Sequence, residues 1–318
     1  MPMEVVDLRR VSALALGPVL EDQKRLWLRE LGWDFTPSMA AIVTLVDESQ
    51  LLGFALRYGH VVVGYCYYIM EDRKGIIGDL HLLDAFRSVE NENLLIEAAI
   101  REMMRQGVAK RVESQLMWLT SPFDRVYPFA EFGRSFQREV MEVALPAGEL
   151  YPEPPARDGE LALALWHNSM VEDAGYLMAR AYTGHVDSRV NDQYRTGAIA
   201  TKFLQNIVEH PGCGTFANLA SYAAYSVEGS LRRMEGVSLA STVGAAVGHI
   251  TQICVSPEMR GQGLGYRLLR ASLESLRKTG CRRASLSVTT INEPARALYA
   301  RMGFERKRLF PASVWEGF

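Results

Sequence analysis

The sequence GHITQICVSPEMRGQGLGYRLLR, residues 248–270, decides the fold of this 318-residue chain. Residues 250–255 are a short apolar and branched run that ends at Ser256 and Pro257, which is typical of a buried strand. A glycine-rich turn, residues 260–265, follows directly. Apolar residues then recur at helical spacing until a cationic last turn and a stop at Gly280. The pattern predicts a strand, a glycine-rich turn and an amphipathic helix, in that order.

The turn places Gly261, Gly263 and Gly265 before and inside the first turn of the predicted helix. Backbone N–H groups there have no partner within the helix, and the helix dipole adds partial positive charge, so the position suits a phosphate. Glycine has no Cβ, which lets the backbone approach phosphate oxygens and adopt positive φ. Arg260 would add a charge-assisted contact. By itself, such a turn also fits an ordinary strand-to-helix connection.

The residues downstream of this helix narrow the interpretation. Residues 285–290 alternate as a strand, and Asn292 and Pro294 open a helix that ends at the sequence MGF, residues 302–304. The R-x-x-G-x-G turn, the N-x-x-A-x-x-x-Y spacing from Asn292 to Tyr299 and the closing MGF together resemble the GNAT superfamily of acyl-CoA-dependent N-acetyltransferases. The strand at residues 248–255 also resembles the fourth strand of small amino-sugar acetyltransferases.

The resemblance implies an α/β fold, with a mixed, mostly antiparallel twisted sheet flanked by helices, and acetyl-CoA as co-substrate without a metal. In the family, the pantetheine arm lies along the fourth strand and bonds to its main chain, which here implies Ile253, Cys254 and Val255. The residues expected around the pyrophosphate are Arg260, Gly261, Gln262, Gly263, Leu264, Gly265 and Tyr266. Asn292 is either a cofactor contact or only a helix cap.

By the same resemblance, Tyr299 is the expected general acid for the thiolate leaving group, since a phenol suits that proton transfer. The alternative is an aromatic residue packed under the sheet. The chain departs from amino-sugar acetyltransferases at Thr251 and Gln252, which stand where those enzymes carry carboxylates, and we expect both to contact the acceptor. Deprotonation of the acceptor then falls to His249 or to a relayed water, although a lone histidine at a strand start is often structural.

A polar run at residues 183–195 follows a predicted helix around residues 172–181. In the family this region shapes the acceptor pocket, so His185, Asp187 and Arg189 are expected to contact a small polar amine. A solvated loop whose Asp and Asn residues cap the next helix, residues 196–208, would explain the same composition.

Composition limits the partners. With 48% hydrophobic residues, 23% charged residues and a net charge of −2, the chain is an ordinary globular protein long enough for two domains. Without a basic field, a nucleic acid and a membrane surface are both unexpected partners, and without a spanning segment or signal pattern we expect a cytoplasmic monomer or homodimer. The four cysteines, at positions 66, 213, 254 and 281, lack metal-binding spacing and are expected to be reduced, buried thiols.

A proline-rich linker and an internal repeat divide the chain. Residues 149–159 combine several prolines with Gly, Glu and Asp, so we expect domains at residues 1–148 and 160–318. A shift of 173 positions pairs Gly75 with Gly248, Arg87 with Arg260 and Gly107 with Gly280, without a gap. The sequence thus predicts a tandem GNAT fold, in an arrangement similar to mycothiol synthase.

The first copy has lost the glycine turn, because Glu90 and Glu92 stand where the second copy has Gly263 and Gly265. Carboxylates there would obstruct and repel a pyrophosphate. We therefore expect one CoA site, in the second copy, with the first copy as scaffold or as one wall of the acceptor pocket. The alternative is that Arg87 and a rearranged loop still hold phosphate.

Three functions are compatible with these patterns. The leading hypothesis is an acetyl-CoA-dependent N-acetyltransferase that acts on the primary amine of a small polar metabolite. A peptide or protein N-acetyltransferase is the alternative within the same class. A non-catalytic acyl-CoA-binding sensor is also open, because the strand lacks carboxylates.

Overall fold

The computed structural model describes residues 2–107, 109–148, 151–152, 161–209, 214–228 and 231–318. Nearly all of the expected linker, and Cys213, lie outside these residues. Two compact units divide the chain: Met1–Arg138 with Leu309–Phe318, and Glu139–Arg308. The division between the units thus lies about ten residues before the expected linker, and the last residues of the chain belong to the first unit.

Both units are built from strands and helices. In chain order the strands are β1 (Met3–Asp7), β2 (Gly53–Tyr58), β3 (Val61–Glu71), β4 (Lys74–Leu82), β5 (Arg111–Ser114), β6 (Gly133–Ala144), β7 (Leu163–Leu165), β8 (Thr215–Phe216), β9 (Tyr222–Glu228), β10 (Leu231–Gly244), β11 (Val247–Val255), β12 (Arg283–Thr289) and β13 (Glu305–Glu316). The α-helices are α1 (Ala13–Leu31), α2 (Thr36–Asp47), α3 (Val89–Arg105), α4 (Val171–Tyr182), α5 (Asp187–Val190), α6 (Gly197–Glu209), α7 (Leu264–Lys278) and α8 (Glu293–Arg301).

The first unit contains a mixed sheet. Strands β1 to β4 form an antiparallel meander, β5 pairs parallel with β4, and the end of β13 pairs antiparallel with β5. A parallel pair needs a crossover connection, and α3 provides it. The buried side of α3, which includes Leu95, Ile96 and Ile100, packs into the core of this unit.

The second unit repeats this plan. Strands β7, β9, β10 and β11 pair antiparallel in that order, β8 pairs with β10, and β12 pairs parallel with β11. Helix α7 is the crossover, and Leu269, Leu273 and Leu276 on its buried side pack with Ile250 and Leu286 of the parallel pair. The mixed, mostly antiparallel sheet with flanking helices that the sequence predicts is confirmed in both units.

The element bounds confirm the internal repeat. Strand β4 spans residues 74–82 and β11 spans residues 247–255, so both ends differ by 173 positions, the shift found in the sequence. Helices α3 and α7 end at residues 105 and 278, which differ by the same number. The repeat therefore holds at the level of single residues across the strand and its crossover helix.

One extra residue interrupts each of these strands at the same repeat position. In the second unit Leu239 pairs with Gln252 and Ala240 with Ile250, which leaves Thr251 as a bulge. In the first unit Tyr67 pairs with Asp79 and Tyr68 with Ile77, which leaves Gly78. A bulge bends its strand and disrupts the ladder. The parallel register of β11 with β12 runs from Val247 only to Ile250, immediately before the bulge, although both strands continue.

Three cysteines, Cys66, Cys254 and Cys281, are free and buried, as the sequence predicts. Within the described part of the chain, no helix combines the length and the hydropathy needed to cross a membrane.

Candidate active site

A cavity of about 730 Å³ opens in the second unit, where β11 and β12 no longer pair. Four segments line it: the end of α4 and the residues after it, the end of β11, the glycine turn with the start of α7, and helix α8. The lining residues are Ala181, Tyr182, His185, Ile253, Cys254, Val255, Met259, Arg260, Gly261, Gln262, Gly263, Leu264, Gly265, Tyr266, Arg267, Asn292, Pro294, Ala295, Leu298, Tyr299 and Arg301. All the residues expected to bind the cofactor are among them.

The backbone of the turn needs glycine at two positions. Gly261 has φ +73° and Gly263 has φ +85°, a region that residues with a Cβ rarely adopt. No atom lies within 4 Å of the Cβ position at either residue, so the turn faces open space. Gly263 is also the N-cap of α7 and provides no side-chain cap. The first N–H groups of α7 are therefore left to an external acceptor such as phosphate.

The charged side chains of the lining fit an anionic ligand. Arg260, Arg267 and Arg301 contribute to the wall, and none of the described lining residues is an aspartate or a glutamate. The Arg260 Nη2 group donates to the carbonyl of Ala181, which holds the guanidinium between the turn and the end of α4. Three cations in the cavity wall, together with the uncapped start of α7, favour an anionic group such as a pyrophosphate. This donor set fits the phosphates of a CoA-type ligand.

The end of β11 forms one wall of the cavity through Ile253, Cys254 and Val255. Past Ile250 the strand runs beyond its register with β12, so an extended ligand can add along this edge. The Cys254 side chain packs with Leu177 and Tyr194. Burial raises the pKa of the Cys254 thiol to about 12, so it stays protonated near neutral pH and is a poor nucleophile.

Tyr299 lines the cavity from α8. Its side chain is 6% exposed, and its ring lies 5.8 Å from the ring of Phe304, yet it lines the cavity. Tyr299 is thus both a packed aromatic and a wall residue. Asn292 is likewise both a helix cap and a wall residue, because its side chain accepts from the backbone N–H of Ala295 at 3.4 Å and the residue borders the cavity.

Residues 217–304 match the acetyltransferase (GNAT) family. This stretch is a GNAT acetyltransferase domain. It covers the glycine turn, the splayed strands β11 and β12 and helix α8, the segments that build most of the cavity wall.

Curated relatives are similar to about a fifth of this chain. A mycothiol acetyltransferase of Corynebacterium jeikeium is 37% identical over 62 residues, which are 20% of this chain and 18% of that protein. N-alpha-acetyltransferase 30 of Schizosaccharomyces pombe is 38% identical over 64 residues, 20% of this chain and 43% of that protein. The chain thus spans less than half the length of either relative.

A solved tandem GNAT protein from the clavulanic acid biosynthesis pathway shares the fold over nearly the whole length of both chains. The match covers 99% of this chain and 98% of that one, with a TM-score of 0.60 and 17% identity. The tandem arrangement predicted from the 173-residue repeat is confirmed.

Three strand residues expected near the acceptor, His249, Thr251 and Gln252, lie outside the cavity lining. His249 is 8% exposed, belongs to the part of β11 that still pairs with β12, and its Nδ1 lies 2.9 Å from the Ser285 hydroxyl. Thr251 is the bulge residue, and its hydroxyl donates to the Leu239 carbonyl at 3.0 Å. Their functional roles stay predictions, and a role for His249 in proton transfer requires a relay.

Loop residues 183–195 are anchored to both splayed strands. Gln252 of β11 donates from Nε2 to the Tyr182 hydroxyl at 2.9 Å, and the Thr289 hydroxyl at the end of β12 donates to the Asp187 carboxylate. Asp187 is buried outside the cavity lining, and Arg189 is exposed. Of the loop residues expected to contact the acceptor, the structure brings His185 into the cavity wall.

Sequence reasoning missed Tyr182. Its ring stacks on Tyr194 with centroids 4.2 Å apart and meets the His185 ring edge-on at 5.3 Å. An aromatic residue in the last turn of an amphipathic helix is indistinguishable from a core residue by periodicity. The one available signal was its position directly before the polar run at residues 183–195.

Proposed function

We propose that this protein transfers the acetyl group of acetyl-CoA to the primary amine of a small polar metabolite. One observation carries the proposal: the uncapped start of α7, the open edge of β11 and the Tyr299 side chain border one cavity. These are the parts that acyl transfer needs, since the ligand must be anchored, the thioester placed and a proton donated to the leaving group.

The proposed reaction is a direct transfer. The amine nitrogen attacks the thioester carbonyl carbon, a C–N bond forms, the C–S bond breaks and CoA leaves as a thiolate. Backbone N–H groups at the open edge of β11, near Val255, would stabilise the oxyanion without reorganisation. The protonated thiol of Cys254 supports direct transfer rather than an acyl-cysteine intermediate.

Two protons must move. Tyr299 would donate its phenolic proton to the thiolate and regain one from solvent. The amine must lose a proton, and the described lining lacks a carboxylate to accept it. With His249 held in the paired part of the sheet, water at the cavity mouth is the favoured acceptor, and His249 contributes only if a water chain connects it.

Only the second unit is proposed to bind acetyl-CoA. Helix α3 of the first unit starts at a serine N-cap, and its first turn carries Glu90 and Glu92. The first unit is then a scaffold for the catalytic domain.

A non-catalytic acyl-CoA sensor is the alternative that a specific observation favours, namely the lack of an acidic group in the described lining. A peptide N-acetyltransferase is favoured by the similarity to N-alpha-acetyltransferase 30. All three functions predict acetyl-CoA binding, so only turnover and acceptor choice separate them.

The test is an acceptor screen with the full chain. Amines, amino acids, amino sugars and N-terminal peptides are incubated with acetyl-CoA, and both free thiol and acetylated product are quantified, the latter by mass spectrometry. Acetylation of small amines at least about tenfold faster than of peptides supports the proposal. Preferred peptide acetylation would establish the alternative enzyme, and bound but intact acetyl-CoA across the screen would establish the sensor.

A further inference from the structure

Tyr182 and His185 both line the cavity at the end of α4, and their rings are in contact. Their ring centroids are 5.3 Å apart, with an interplanar angle of 83°. Tyr182 is fixed to β11 through Gln252, and the next residues are fixed to β12 through the bond between Thr289 and Asp187. Tyr182 therefore lies beside β11 at the splay between the two strands, and the carbonyl of the preceding residue, Ala181, accepts from Arg260 of the glycine turn.

The hydrogen bonds of these two side chains determine which atoms remain for a ligand. The Tyr182 oxygen accepts from Gln252 Nε2 at 2.9 Å, which leaves its own O–H hydrogen to be donated. The His185 Nδ1 atom accepts from the backbone N–H of Asp187 at 3.1 Å. Since a backbone N–H can only donate, the neutral imidazole must carry its hydrogen on Nε2.

Both donors belong to side chains that line the cavity. Among the described residues, neither the Tyr182 hydroxyl hydrogen nor His185 Nε2 has a protein partner. Burial raises the pKa of Tyr182 well above its usual value, so the phenol keeps its hydrogen. None of the described lining residues is an aspartate or a glutamate, and the Asp187 carboxylate, which lies 3.6 Å from His185 Nδ1, is buried and accepts from the Thr289 hydroxyl.

We propose that Tyr182 and His185 form a binding subsite for a carboxylate of the acceptor, so that the acetylated substrate is an amino acid or another amine bearing a carboxylate. Two adjacent donors whose acceptor atoms are already occupied match the two oxygens of a carboxylate. The role of this subsite in acetyl transfer rests on the proposed function, whereas the binding of a carboxylate there does not. In this arrangement His185 is a specificity-determining donor, not the general base.

A matched acceptor panel tests the subsite. Glycine, β-alanine, 4-aminobutyrate and the common L-amino acids are each compared with their own carboxamide, in which an N–H₂ group replaces one acceptor oxygen. For the wild-type chain we expect kcat/KM for the best carboxylate to exceed that of its carboxamide by at least about tenfold. Equal rates for carboxylates and carboxamides, or a preference for peptides, would overturn the subsite while leaving acetyl transfer in place.

Variants assign the effect to the two side chains. Tyr182→Phe and His185→Ala should each lower kcat/KM for the carboxylate by at least about tenfold, and lower that for the carboxamide by a smaller factor because it keeps only one acceptor oxygen. His185→Gln, which keeps a donor near the Nε2 position, should recover part of the loss. Tyr176→Phe, which changes an exposed tyrosine on the same helix, is the matched control and should behave as wild type. Equal losses of kcat/KM for a carboxylate and for its own carboxamide would refute the assignment.

A binding measurement keeps the test independent of turnover. The CoA-loaded protein is heated with each carboxylate and each carboxamide, and the melting temperatures are compared for wild type, Tyr182→Phe and His185→Ala. A rise with carboxylates that both variants lose supports the subsite even if no amine is acetylated, and in that case the proposed function fails alone. No difference between carboxylates and carboxamides in the wild type would overturn the subsite.

Discussion

Helices α3 and α7 begin within two residues of corresponding positions in the two units but satisfy their first turns in opposite ways. Helix α7 starts at Gly263, which offers no side-chain cap and faces open space. Helix α3 starts at Ser88, whose hydroxyl accepts from the N–H of Asn91 at 3.2 Å. Its first turn also carries Glu92, which is buried and ion-paired with Arg125. One helix start is left to a ligand, and the other is closed by the protein's own side chains.

The difference shows that a helix start suits an anion only where the protein's own side chains do not already occupy it. In the first unit the Glu92 carboxylate accepts from the backbone N–H and the hydroxyl of Thr120, at 3.0 and 2.9 Å, in addition to Arg125. Arg125 in turn donates to the carbonyl of Val89 in the same first turn. An internal carboxylate thus stays at the start of the helix where the second unit can take phosphate.

The largest effect should come from opening the closed helix start. Arg125→Met leaves Glu92 buried without its cation, and we expect the free energy of unfolding of the first unit to fall by about 3–5 kcal/mol. Urea unfolding of the full chain measures it. Arg101→Met removes an exposed ion pair with Glu97 on the same helix and should cost no more than about 0.5 kcal/mol. Similar losses for both variants would show that the buried pair does not hold this helix start.

Copying the first unit into the second should destroy the ligand site. Gly263→Glu forces a side chain onto a φ of +85° and places a carboxylate at the start of α7, so acetyl-CoA affinity should fall more than about a hundredfold. Titration calorimetry should give one site per wild-type chain and none in the variant. Gly280→Glu, with φ +100° at the other end of α7, is the control and should bind normally. Two sites per chain, or tight binding by Gly263→Glu, would contradict the contrast between the helix starts.

The two units also differ at the expected acid, because Val126 stands 173 positions before Tyr299. Tyr299→Phe removes the hydroxyl and keeps the ring, so kcat should fall by roughly a hundredfold while acetyl-CoA affinity changes little. Tyr222→Phe is the matched control, since this tyrosine lies in the same unit outside the cavity lining and its hydroxyl bonds the Ser275 hydroxyl at 2.7 Å. A normal rate for Tyr299→Phe with an accepted amine would make Tyr299 only a packing residue.

The smallest effect is expected at His249, whose counterpart in the first unit is Ile76. If His249 only bonds Ser285, His249→Gln should change kcat by less than about twofold and leave the pH profile of kcat/KM unaltered. Steady-state rates between pH 5.5 and 9 would decide, in steps of roughly half a unit around the usual histidine pKa. If the variant loses the fall in kcat/KM at low pH, His249 is the group that accepts the proton of the amine, although its position in the paired part of the sheet does not favour that role.

The sequence was most informative where local patterns determine structure. Strand β11, the turn and helix α7 follow from apolar spacing and glycine placement, and the 173-residue shift predicts both ends of β4 and β11. The predicted helices around residues 172–181 and 196–208 correspond to α4 and α6. These elements depend on neighbours a few residues away, so a single sequence contains the information.

Long-range pairings were not predictable. Glu92 meets Arg125 across 33 residues, and Thr289 meets Asp187 across 102. Asp187 reads as a solvent-exposed loop residue until β12 places a hydroxyl beside it. The same holds for Tyr182, whose hydroxyl is positioned by Gln252 only after β11 pairs within the sheet.

The bulge at Thr251 adds one residue to β11, so the cavity of the second unit results from an extra backbone residue and not from smaller side chains. Without the bulge, β11 would continue its parallel pairing with β12 past Leu286, and the gap between the two strands would close. Shortening this strand by one amino acid should therefore seal the cleft, whereas enlarging the side chains around it would only narrow it. Gly78 is the corresponding bulge in β4 of the first unit. That unit therefore keeps the bulged strand, while the start of its helix α3 is occupied by Glu92 and Arg125.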